Sequence, residues 1–481
     1  MIQEFITIHD RFQFEIKQRL PFRNAGKKRR YVIETLFFIP NSLGINERTY
    51  TKQMFYNRLK NYIRLGIPEL PDPDTPDQDP SMSRVLCALE QMKQKDNQAS
   101  RARYRDSVKL YALMLKRRLR QGTLNAGTRT GRDQLHHILG TVHRATAGAG
   151  LLRRHEEDRG NFLDGESKQA LAYCNEYISM CLTYYLLQML DSVNWDQKDD
   201  GRVKLRKKLM KRIHNEFDYQ KQFRPSENNA EDQDHETLIY RWNVLKKYVS
   251  SPLFLEIRQK KEGTLVLQLV SCFAAGLAMF FATAVAFIGQ DMFGALSPNL
   301  FLALVIGYIF KDRMKEGLRN FLSSRLRKTF SDRRQFVYQD FGTLIGKCKE
   351  VFYFIKNSRI PPSVLALRNK NHLVDIENSY RSEDVMYYRK EILIKPKSAG
   401  EAWEGLMDIT RLNISDFLNN TDDPTHMIFV PQRGSYQKTA ADKVYHMTMI
   451  RCHRTGGREI SKRFRIVFNR DGIKRIDHID S

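Results

Sequence analysis

From Leu265 to Gly289 the chain runs 25 residues, LVLQLVSCFAAGLAMFFATAVAFIG, without an Asp, Glu, Lys, Arg or His. As an α-helix this stretch is about 37 Å long, against a bilayer hydrocarbon core of about 30 Å. A soluble fold can hide such a helix only inside a large core, and helices at the edge of a core carry charge on their outward side. The expectation is a transmembrane helix.

A second apolar run follows. Gln290-Asp291 ends the first, and Ser297-Pro298 has the form of a helix start, with Ser as N-cap and Pro at the first helical position. Asn299 to Phe310 is only 12 residues, about 18 Å of helix, which suits a re-entrant or interfacial segment. Started at Phe293, with Pro298 tolerated inside, the run is 18 residues and a crossing is feasible. The flanking charge favours the crossing. Lys246, Lys247, Arg258, Lys260 and Lys261 lie upstream, Lys311, Arg313, Lys315, Arg319, Arg325, Arg327 and Lys328 lie downstream, and Gln290 to Asn299 has no Lys or Arg. Lys and Arg collect on the cytoplasmic side of spans, so two crossings leave both basic flanks inside. The expected fold class is therefore an α+β integral membrane protein, a two-helix transmembrane hairpin with mainly helical and antiparallel-β cytoplasmic regions. Lys260, Lys261, Lys311, Arg313, Lys315 and Arg319 are read as membrane-surface residues facing anionic headgroups.

Small residues recur along the hairpin. Ala274, Ala278, Ala282 and Ala286 repeat every four residues, and Ala303 and Gly307 share that spacing. Such a face lets helix backbones approach closely in lipid, either within the hairpin or between chains. The apolar runs hold no ionisable group of the kind that marks proton or ion pathways, which argues against a carrier.

The flanking regions read as folded. Of 481 residues, 41% are hydrophobic and 11% aromatic, which excludes a globally disordered chain. Residues 1–67 predict a β-hairpin plus a helix. Ile6, Ile8, Phe12, Phe14 and Ile16 share one parity, Tyr31 to Ile39 is nearly continuous apolar, and Tyr50 to Leu65 has helical spacing. Residues 68–80, with their Pro and Asp, are a linker. Residues 81–263 predict a mainly helical region in which Leu171 to Leu190 is a buried helix rather than a span. Residues 311–360 predict a basic amphipathic helical region. Residues 375–481 predict an antiparallel β domain, with Asp471-Gly472 as a hairpin turn and a three-strand meander over Val444 to Ile479.

Motifs for chemistry are sparse. There is no GxxxxGK[ST], HExxH or GxSxG, so no catalytic residue, cofactor or metal is expected. Asp133, His136, His137 and His143 share helical faces without a four-ligand spacing. His155-Glu156-Glu157 beside Gly148 and Gly150 reads as a polar loop. Cys174 and Cys181 read as buried thiols, and His446 and His453 fall on opposite faces of a strand. Six cysteines without a CxxC pair exclude a disulfide scaffold, and no secretory segment is visible at the N-terminus.

The 80 Lys+Arg against 55 Asp+Glu, a net charge of +25, call for an anionic partner. A bilayer explains the run from Lys311 to Arg334 directly; nucleic acid is the other class. Three functions follow: a non-enzymatic membrane-anchored scaffold or sensor that binds a protein partner and self-associates, an oligomeric pore or membrane-disrupting effector, and a membrane-tethered nucleic-acid binder. The absence of an N-terminal targeting segment and the compact hairpin suit a bacterial inner membrane, and the basic flanks place both termini on the cytoplasmic side.

Overall fold

The computed structural model describes residues 3–21, 29–68, 80–159, 162–193, 200–223, 235–260, 264–294, 297–327, 331–339, 342–370, 383–395, 403, 405–455 and 458–479. Most of the 68–80 linker and of the acidic stretch 225–236 lies outside them, as does Lys261.

Two antiparallel sheets face each other. The first holds β1 (Gln3–Asp10), β2 (Gln13–Pro21), β9 (Gly405–Asn413) and β4 (Leu59–Leu65), in that order. The second has eight strands in the order β14 (Gly472–Ile479), β13 (Arg458–Asn469), β12 (Tyr445–Thr455), β3 (Arg29–Pro40), β8 (Glu383–Ile394), β7 (Thr343–Ile355), β6 (Arg333–Gln339) and β5 (Glu256–Lys260). Alternating burial along β7 and β8 sends every second side chain inward. Phe14, Ile16, Phe37, Leu412, Met447, Met449 and Ile466 fill the space between the sheets. In β3, Phe37 and Ile39 point inward while Leu36 and Phe38 are covered outside by α10 (Pro362–Asn369), which explains the near-continuous apolar run. β9 passes so close to β2 that a Cβ on Gly405 would sit 2.3 Å from the Leu20 carbonyl oxygen, so only glycine fits.

The sheets mix both ends of the chain. β3 lies between β12 and β8, and β2 pairs with β9, so the segments before residue 67 and after 375 share both sheets. The first strand reading is corrected: Gln3–Asp10 and Gln13–Pro21 are two strands joined by a turn at Arg11-Phe12, and β3 pairs elsewhere. Tyr50 to Leu65 holds one short helix, α1 (Lys52–Arg58), capped by Thr51, and then β4.

A helical layer covers one region of the sandwich: α2 (Pro80–Gln94), α3 (Gln98–Gly127), α4 (Gly131–Arg159), α5 (Gly165–Asp191), α6 (Asp200–Lys221) and α7 (His235–Val249). Asn97 and Ser100 form a capping box at the start of α3. α5 packs against α3, α4, α6 and α7 together, and Leu171, Cys174, Tyr177, Ile178, Leu182 and Met189 are buried on all its sides. The Leu171 to Leu190 run is thus a core helix. Tyr104, Val108 and Tyr111 meet Tyr31, Ile33, Val337 and Ile392 in one shared core.

α8 (Thr264–Phe293) and α9 (Pro298–Arg327) form an antiparallel helical arm between β5 and β6. The expected two-helix transmembrane hairpin is not what this arm is. Only Gln268–Phe293 is long and apolar enough to cross a bilayer among the described residues. α9 is apolar from Pro298 to Phe310 and charged beyond it. The antiparallel register aggravates the mismatch. Gly289 sits against Leu300 and Gly307 against Val285, which carries Lys311 to Arg319 alongside the apolar middle of α8, from about residue 281 back to 273. The apolar length common to both helices is about 20 Å, two thirds of a hydrocarbon core. The basic helical region expected over 311–360 is corrected too: helix ends at Arg327, and β6 and β7 follow.

Candidate membrane interface

The inner seam of the arm is built from small residues. Ala274 and Ala278 are fully buried against α9, Ala282, Ala286 and Ala303 are half-buried, and Gly307 is buried. A Cβ at Gly307 would meet Val285 Cγ1 at 3.1 Å, so the helices approach as closely there as the backbones permit. The small-residue positions thus come together along one seam of the arm. Ser297 accepts a hydrogen bond from the Leu300 amide at 3.1 Å and caps α9.

The outer surface of the arm is apolar and uncovered. Phe273, Phe280, Phe287, Ile288, Met292, Phe301, Leu302 and Phe310 are each about 60–75% exposed. Only 11% of the apolar window of α8 is buried within the protein, whereas the core helix α5 is buried along most of its length. Fully burying one such side chain is worth about 1.5–3 kcal/mol, so the six from Phe280 to Leu302, about two thirds exposed, leave roughly 6–12 kcal/mol unrealised in water. Contiguous apolar surface of this kind marks an interaction face.

Charge begins where the apolar part of α9 ends. The Lys311 ammonium lies 3.6 Å from the Tyr308 ring centroid and 3.8 Å from an Asp312 carboxylate oxygen. Arg313 and Lys315 are exposed, and Arg319 reaches Glu316 at 4.0 Å. A Tyr–Lys step followed by Arg is the composition of a bilayer–water boundary. Lys260 is the last residue of β5 and pairs with Arg334. A lateral cleft of about 430 Å³ opens between the helices, lined by Met279, Thr283, Ala286, Gln290, Gly307 and Tyr308.

The second chemically dense region lies between the sheets, and sequence reasoning missed it. The Lys390 ammonium donates to Asp408 Oδ1 at 2.6 Å with both side chains 2% exposed. Burial alone would lower the Lys390 pKa, but Asp408 beside it outweighs burial and the pKa is raised. Glu350 accepts from the Tyr388 hydroxyl at 3.0 Å and from the Asn61 amide, and burial raises its pKa. Arg451 Nε lies 2.7 Å and His453 Nε2 3.2 Å from the Glu4 carboxylate, and Gln18 bonds the other ring nitrogen of His453. The void beside Lys390, Asp408, Tyr388 and Arg451 has no room for a ligand. These buried groups tie β1 to β12 and β8 to β9, which sets the register of one sheet against the other. The only sequence signal was parity: Lys390, Arg451 and His453 occupy inward positions of otherwise apolar strands.

The remaining candidates are structural. Asp133 pairs with Arg129, and His137 bonds the Gly122 carbonyl at 3.1 Å. No group of three or more His, Cys, Asp or Glu converges among the described residues. His155 and Glu156 are on α4, not in a loop. Buried His155 bonds the Tyr104 hydroxyl at 3.0 Å, and Glu156 accepts from Asn175 at 2.5 Å. Burial pushes the Cys174 and Cys181 thiols up to about 12, where they are inert. No protein-family model, curated protein or solved structure matches this chain.

Proposed function

We propose that this protein is a membrane-attached scaffold. The α8–α9 arm enters an anionic bilayer, and the sandwich with its helical layer stays at the cytoplasmic surface of the cell membrane, both termini on that side. α8 is the penetrating helix. The exposed apolar surface from Phe280 to Leu302 carries this reading, because none of the described residues of the body covers it. The charge of Lys311 to Arg319 sets how far α9 follows and meets the headgroups. The body offers a partner large folded surfaces, and its role is to hold that partner at the membrane.

Flotation with vesicles tests this. The wild-type chain should rise with phosphatidylglycerol-containing vesicles and should be left behind after Phe280→Glu with Phe287→Glu. Both side chains point away from the protein, 74% and 70% exposed, so the variant folds. Equal flotation of the variant sinks the proposal. A pore assembled from several arms is the second reading, favoured by the cleft that Thr283 and Gln290 line; dye release from the same vesicles decides it.

A further inference from the structure

A second arm leaves the body. β10 (Thr425–Gln432) and β11 (Ser435–Asp442) pair only with each other, from Thr425 opposite Asp442 to Gln432 opposite Ser435. Every position of β10 is exposed, and all but one of β11. An isolated two-stranded ribbon is marginal in water, and this one displays Met427, Ile428, Phe429, Val430 and Tyr436, with Phe429 and Tyr436 70% exposed or nearly so. The Phe429 and Tyr436 rings meet edge-on at 5.6 Å, and the Lys438 ammonium lies over Phe429.

Three observations identify what this ribbon meets. First, no Asp or Glu occurs from Thr425 to Ala441, while Arg433 and Lys438 flank the turn at Gly434. Aromatic and basic residues without acids are the composition of a bilayer boundary, not of a protein core. Second, strand polarity places both arms at one end of the large sheet. β12, β8 and β6 run one way and β3, β7 and β5 the other, so the start of β12, which follows the ribbon, lies at the same end as the finish of β5, which precedes α8. Third, the lengths match. Arg333 pairs with Glu350, and Glu350 with Lys390, whereas Thr448 pairs with Phe38, and Phe38 with Val385. The root of the helical arm is thus set back along the strands by about 25 Å relative to the ribbon's. The helical arm, about 45 Å long, exceeds the ribbon, about 27 Å, by most of that set-back.

We propose that the β10–β11 ribbon is a second membrane contact, which lays Phe429, Tyr436, Arg433 and Lys438 on the anionic headgroups of the bilayer that α8 enters. This rests on the proposed membrane attachment through α8. Its consequence is orientation: one arm alone lets the body swivel, whereas two contacts fix one face of the sandwich towards the lipid.

The test places an environment-sensitive fluorophore on the full chain at Ser435→Cys or, separately, at Phe287→Cys. Vesicles of phosphatidylcholine with a minor share of phosphatidylglycerol are then added. The proposal expects a blue shift at both sites and, at 435, quenching by lipids that carry a nitroxide on the headgroup. Arg433→Glu with Lys438→Glu should abolish the shift at 435 and leave that at 287. A shift at 287 with none at 435 overturns the ribbon contact and leaves the α8 reading intact. No shift at either site overturns both. A shift at 435 that grows with protein concentration and needs no lipid overturns the proposal in favour of pairing with a second copy.

Discussion

Replacing Glu4 with Gln measures how much the buried charges between the sheets stabilise the body. The Glu4 side chain is 1% exposed and lies 2.7 Å from Arg451 and 3.2 Å from His453. Burial works against its ionisation, but Arg451 and His453 outweigh burial and bring its pKa from 4.5 to about 2. A carboxyl with that difference between unfolded and folded states contributes about 3 kcal/mol, since each pKa unit is worth about 1.4 kcal/mol. The sign follows from the direction. The folded pKa is depressed, so the contribution is complete above the unfolded value of 4.5 and disappears as pH falls towards about 2. Removing one member of a buried pair also leaves the other uncompensated, at about 3–5 kcal/mol. The assay is urea unfolding in detergent, followed by far-UV circular dichroism, near neutral pH and through the window from 4.5 to 2. Wild type should exceed Glu4→Gln by about 3 kcal/mol or more at neutral pH, and the gap should narrow steadily through the window. A gap that stays constant across it would refute the linkage, because a steric defect does not titrate.

Other changes test other layers. Lys390→Met or Asp408→Leu alone should destabilise the chain by about 3–5 kcal/mol, while the two together should recover most of that loss in the same urea assay. Gly405→Val should prevent soluble or detergent-stable expression, since its Cβ would lie 2.3 Å from the Leu20 carbonyl; a normal yield would show that β9 can move away from β2. Ala278→Leu with Gly307→Leu should separate the helices of the arm, read as lower protection from hydrogen exchange across both, because each site is buried in the seam. Unchanged protection would mean the arm does not depend on that seam.

Local signals in the sequence led to local structure. The meander of β12, β13 and β14 followed from alternation and from Asp471-Gly472. Gly472 takes φ +133°, and a Cβ there would lie 2.3 Å from the Arg11 carbonyl, so both backbone and space demand glycine. α5 was legible as a core helix because Asn175 and Glu176 interrupt it, and both prove to be paired: Asn175 with Glu156, and Glu176 with Arg241 at 2.7 Å. Long-range pairing was not legible. Nothing near Tyr31 to Ile39 says that its neighbours are residues 383–394 and 448–454, because a central strand's partners are set by packing hundreds of residues away. The same holds for Glu4, an ordinary acid in sequence whose partners lie in β12. The arm was found by composition, but its register was not. Only the placement of Gly289 on Leu300 reveals that charged residues of α9 stand beside apolar residues of α8.

The most direct test of membrane attachment is the reactivity of a cysteine at position 287. Only Cys87 and Cys272 need replacing first, because the other four thiols are buried. Phe287→Cys is then exposed, in closed membrane vesicles, to a membrane-impermeant maleimide on either side and to a lipid-soluble one. The account predicts that neither reagent reacts while the bilayer is intact, because a thiol held in hydrocarbon stays protonated, and that both react once the protein is unfolded in detergent. Full labelling by the impermeant reagent in intact vesicles would contradict it, since the tip of α8 would then stand in water.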